Sequence, residues 1–105
     1  MTDNLEYALG REFQRAVSIC INQYGYRPSY FLQMLDNYGP VDTAIRLVTA
    51  TKLHEGFTRL WELRRLDLTA EAIITHDPYN QLFAKEILER AKERLEELGY
   101  MPDKS

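Results

Sequence analysis

Apolar residues recur at helical spacing along most of the chain, and no segment alternates apolar with polar as a half-buried strand would. Leu5, Leu9, Phe13, Val17, Ile21 and Tyr24 step by four or three along one stripe, with Ala16 and Cys20 beside it and Ile19 widening the face. Asp3 followed by Glu6 forms a capping-box pattern at the start, and Gly25 supplies the left-handed stop. A long first helix is therefore predicted over residues 3–24. Gly10 inside it costs ~1 kcal/mol relative to alanine, which marks either close packing or a kink.

Pro28 suits the first position of a second, short helix carrying Phe31, Leu32, Met34, Leu35 and Tyr38. Gly39 ends it, and Pro40 restarts the chain as a third helix with Val41, Ala44, Ile45, Leu47 and Val48. Residues 49–55 connect to a central stretch, in which Phe57, Leu60, Trp61 and Leu63 keep close to one helix face while Thr58, Arg59, Glu62 and Arg65 fall on the other. Leu66-Asp67-Leu68 breaks that pattern, and Thr69 caps a fifth helix holding Ala70, Ala72, Ile73 and Ile74. Leu68 and Ile73 are placed to form a hydrophobic staple around the corner, and Glu71 lies where the positive end of the helix dipole favours an acid. Asp77-Pro78 introduces a short turn with Tyr79, Leu82 and Phe83. The last helix runs from Lys85 to Leu98 with Ile87, Leu88, Ala91, Leu95 and Leu98 inward, Arg90 and Arg94 on a mixed outer face, and Gly99 as its stop; residues 101–105 read as a frayed tail. The expected fold is all-α: a compact bundle of about six mostly short helices with long N- and C-terminal ones.

At 105 residues the chain is expected to form one domain with one ordinary core. A hydrophobic content of 45% with 28% charged residues excludes a disordered chain. The net charge of −3 removes any global attraction to nucleic acid, so such binding would need a local patch. Cys20 is alone, which excludes an internal disulfide and a multi-cysteine zinc site; within an apolar run it reads as buried filler. No stretch approaches the ~20 apolar residues of a membrane helix. The N-terminus lacks a basic segment followed by an apolar run, so no signal peptide is expected and a cytoplasmic location is.

Candidate chemistry is thin. No Gly-rich phosphate loop, HExxH pattern or nucleophile elbow is present. His54-Glu55 and His76-Asp77 are His–acid neighbours that could in principle share a divalent metal, yet adjacent side chains point apart, so exposed loop histidines are the simpler reading. Asp36 and Asp42 flank the Tyr38-Gly39-Pro40 corner and read as local turn and capping groups. Arg59, Arg64 and Arg65, with Lys52 and His54 upstream, read either as a patch for phosphate or an acidic partner or as a solvated face paired with Glu62 and Asp67. Trp61, the only tryptophan, is expected at the centre of the core. Four of the seven tyrosines stand at helix stops, in Tyr24-Gly25-Tyr26, Tyr38-Gly39 and Gly99-Tyr100. Some are left for an interface, where tyrosine is enriched.

Taken in order, Gly25-Tyr26-Arg27-Pro28, Tyr30-Phe31-Leu32, Tyr38-Gly39, Thr43-Ala44, Gly56-Phe57-Thr58-Arg59-Leu60-Trp61-Glu62, Arg65-Leu66-Asp67-Leu68-Thr69, Leu82-Phe83, Arg94-Leu95 and Gly99-Tyr100 resemble a small helical module of uncharacterised bacterial and mobile-element proteins. The resemblance spans residues 22 to 100. In that group the module is often a C-terminal appendage, sometimes beside nuclease or restriction-type domains, and it brings no catalytic residues to carry over. Two departures stand out. With its own long first helix this chain is expected to be a free-standing form without an attached catalytic domain, and Ala84 replaces a threonine cap before the last helix, which weakens that helix start.

These readings lead to a non-enzymatic protein-interaction or regulatory module, which the resemblance places in a phage-related or mobile-element setting as a modulator of a nuclease or defence complex. The residues expected to bind the partner are Arg59, Arg64 and Arg65, with Tyr26, Arg27 and Tyr30 as the second choice. No catalytic residue, metal or cofactor is expected. The alternative is a nucleic-acid-binding accessory protein using the same arginines. Self-association also fits, because the first helix is apolar beyond one stripe.

Overall fold

A computed structural model describes residues 2–100, with side chains from Asn4 onward. The Asp3 side-chain cap and the tail at 101–105 lie outside the described residues. Helix α1 spans Thr2–Tyr24, α2 Ser29–Thr49, α3 Glu55–Glu62, α4 Ala70–Ile74 and α5 Lys85–Glu97, with 3-10 turns at Leu66–Leu68 and Tyr79–Leu82. No strand occurs among the described residues. The fold is the expected all-α bundle.

Helix α2 is two helices laid end to end. Gly39 at φ 81° and ψ 172° interrupts the helical backbone, a conformation that essentially only glycine adopts. Pro40 then restarts the helix with its preset φ. The predicted second and third helices are therefore both present, joined by a kink rather than a loop. Gly10 of α1 lies against this kink, and a Cβ there would sit 3.6 Å from Pro40 Cγ. That is an ordinary contact distance, so packing does not require the glycine there, and α1 itself runs unbroken rather than kinked.

The smallest helix lies deepest. All of α4's residues are buried, and it packs against α5, α2 and α1. Thr69 opens it as predicted: its hydroxyl accepts from the Ala72 N–H at 3.1 Å and donates to the Leu66 carbonyl at 2.7 Å. The main core joins Leu9, Phe13, Ala16 and Cys20 of α1 to Met34, Ala44, Leu47 and Val48 of α2 and to Ile73 and Ile74 of α4. A second cluster unites Phe57, Leu66, Ala72 and Leu95, with Leu98 and Tyr100 against it. Phe13 meets Phe31 edge to face, with ring centroids 5.3 Å apart.

The α1 stripe departs from the reading at its end, where Ile21 is exposed. Steps of four residues drift by about 40° each around a 3.6-residue helix, so a run of them leaves the core. The buried set Leu9, Phe13, Ala16, Val17 and Cys20 mixes steps of four and three and stays on one face. At α5, Ala84 stands in the extended conformation of a cap but makes no side-chain bond.

Candidate functional site

Helix α3 carries most of the candidate residues, and its first turn is held by an unusual cap. His54 Nδ1 accepts the Phe57 N–H at 3.1 Å, leaving the proton on Nε2, which donates to the Glu71 carboxylate at 3.1 and 3.3 Å. The tautomer follows from that network. Both ring nitrogens are thus engaged within the fold, and neither presents a lone pair outward. Glu71 is 0% exposed, and Arg94, 6% exposed, places Nη1 3.7 Å from its Oε2. The guanidinium's donors go to the last carbonyls of α2: Leu47 O at 2.8 Å and Ala50 O. Arg90 adds a bond to Val48 O at 3.1 Å. Two arginines of α5 therefore satisfy the carbonyls that a helix end leaves unpaired, at the end where the dipole favours cations.

This buried triad corrects two readings. His54 is not an exposed loop histidine, and Arg94 is not on an outer face. The signals existed: Arg94 interrupts the apolar spacing of Ala91 and Leu98, and Glu71 is the only polar residue in an otherwise apolar helix. What the sequence could not show is that residues so far apart in the chain meet. His76, by contrast, is exposed as expected. Among the described residues no group of His, Cys, Asp and Glu side chains is arranged to hold a metal. Cys20 is buried, and that burial pushes its thiol pKa up.

The candidate arginines have three different settings. Arg65 is fixed: Nε and Nη2 reach Asp67 at 3.0 and 3.1 Å, Nη1 donates to the Tyr24 hydroxyl at 2.8 Å, and these bonds hold its guanidinium above the usual arginine range. The predicted pairing with Asp67 is present, and Arg65 has become part of the scaffold. Arg59 lies 5.3 Å over the Tyr26 ring, a cation–π contact. Arg64 is exposed and sits at φ 61°, the one non-glycine residue with positive φ among those described.

Tyr26, Arg27 and Tyr30 line one cavity of about 220 Å³ together with His54, Glu55 and Leu47. Burial, aided by Glu55, pushes the Tyr26 phenol pKa up. Gly56 lies between the two segments, where a Cβ would sit 3.4 Å from His54 Nδ1 and 3.6 Å from the Tyr26 hydroxyl. Arg59 and the Tyr26 cavity thus form one continuous surface.

Trp61 is the main correction. It is 46% exposed, not central. At ~100° per residue, Phe57, Leu60 and Leu63 form a narrow arc that faces the core, and Trp61 lies past its edge. Phe57, fully buried, takes the place expected of Trp61. No family model, curated protein or solved structure matches the chain. No helix among the described residues is long and apolar enough to cross a membrane.

Proposed function

We propose that the protein is a non-enzymatic interaction module that binds another protein through the outward face of α3. The observation that carries this reading is the half-exposed Trp61 on the same short helix as Arg59, with Arg64 just beyond its end. Tryptophan, arginine and tyrosine dominate interface hot spots because each offers large contact area with a directed polar group. The chemistry-bearing side chains nearby are occupied by the fold, which favours binding over catalysis. The motif resemblance supplies the setting: a bacterial, cytoplasmic, phage- or mobile-element-associated modulator of a nuclease or defence complex.

Nucleic-acid binding is the second reading, favoured by Tyr30 at 58% exposure and Arg27 on the rim of one cavity, since exposed aromatics can stack bases beside a cationic side chain. Affinity capture from host lysate, with and without nuclease, separates the two. A protein retained after nuclease treatment by the wild type, and lost from an Arg59→Ala/Arg64→Ala variant of unchanged melting temperature, is the expected result. Recovery of nucleic acid alone would replace the first reading with the second.

A further inference from the structure

The outward face of α3 and its end carry Glu55, Arg59, Glu62 and Arg64, all exposed and none with an ionic partner among the described residues. Their signs run minus, plus, minus, plus along the chain. Reversing that order inverts every sign. A second α3 laid antiparallel across the first sets Glu55 against the other copy's Arg64, and Arg59 against its Glu62, and a two-fold axis makes each pairing twice. The two pairings differ in register by two residues, ~3 Å of helix rise, which an arginine side chain accommodates.

Two exposed apolar side chains flank this line of charge without lying on it. Leu53, 43% exposed, precedes the helix and Trp61 lies near its end. In an antiparallel pair the charges meet along the helix and Trp61 stands at the rim, where its emission reports on association. A continuous phosphate backbone fits this face poorly, because it would meet Glu55 and Glu62 as well as the arginines. The backbone at Arg64 points the same way. A left-handed position filled by arginine keeps local strain where glycine would relieve it, a pattern found where the side chain serves contact outside the fold.

We propose that the outward face of α3 is a two-fold interface for a second copy of this chain. The inference rests on the reading above that this face binds protein, and it names that protein. A helix of eight residues makes a small contact, so the dimer is expected to be weak and concentration-dependent.

Sedimentation equilibrium of the full chain up to the millimolar range tests it, with the emission of Trp61 as a second readout. R64E and E55R each place like charges together twice and should weaken the dimer by about tenfold or more. Mixing the two variants restores both attractive pairs and should restore dimerisation, with helical content by circular dichroism unchanged in each. A chain that stays monomeric throughout, a dimer indifferent to both substitutions, or single variants that mixing does not rescue would each overturn the two-fold interface. A monomer that still captures a host protein through Arg59 and Arg64 would overturn this inference and leave the proposed function standing.

Discussion

Helices α3 and α5 end in the same hydrogen-bond pattern but with opposite residues at its critical position. At α3, Arg65 N–H reaches Leu60 O at 2.8 Å and Arg64 N–H reaches Trp61 O at 3.0 Å; at α5, Tyr100 N–H reaches Leu95 O at 2.9 Å and Gly99 N–H reaches Glu96 O at 3.0 Å. Both are Schellman ends, which need a left-handed residue. Gly99 takes φ 88° without steric cost, whereas Arg64 takes φ 61° against its own Cβ. The residues that follow are both tied into the fold: Tyr100 packs on the Leu95 cluster, and Arg65 is held by Asp67 and Tyr24. Arg64 itself and Trp61 stay exposed. Gly99 closes its helix without strain, whereas the end of α3 keeps that strain on an exposed arginine, which the proposed partner contact would use.

The start of α3 rests on buried charge, so the largest expected effect lies at the triad behind it. Arg94→Ala leaves Glu71 buried without its cation and uncaps the end of α2; urea denaturation should show a loss of roughly 3–5 kcal/mol. Gly99→Arg gives α5 the same residue that α3 carries and should cost about 1–2 kcal/mol, read as a lower denaturation midpoint at constant slope. Arg64→Gly makes the reverse exchange. It should raise stability by about 1 kcal/mol while weakening partner binding, the trade expected where stability and function conflict. Should both properties rise, or neither change, the contrast between the two ends loses its meaning. Smallest of all is Trp61→Ala. A buried tryptophan would lose several kcal/mol on truncation, but this one should lose less than about 1 kcal/mol, and a larger loss in the melting curve would put Trp61 back in the core.

Much of the fold was legible because its punctuation is local. Gly25, the Gly39-Pro40 pair, Thr69 and Gly99 each act within a few residues of themselves, through backbone freedom, a preset φ or a side-chain cap. The misreadings share another character. Trp61 and Ile21 lie at the borders of apolar arcs, where a rotation of a few tens of degrees decides between core and solvent, and spacing does not resolve that. The candidate arginines were visible as a cluster, and the Asp67 pairing with them, but their three settings were not, since Tyr24 and Tyr26 reach Arg65 and Arg59 from the distant corner at the end of α1.

By itself the sequence determined an all-α chain, the positions where its helices stop, the cap of the central corner and the absence of recognisable catalytic motifs. Each of these depends on residues within about one or two helical turns. Only the tertiary structure decided that His54, Glu71 and Arg94 share one buried site, that Trp61 faces solvent and that Arg65 belongs to the scaffold while Arg64 does not. Those outcomes depend on which helix covers which face, and burial of a charge or an aromatic ring is a property of the assembled neighbours.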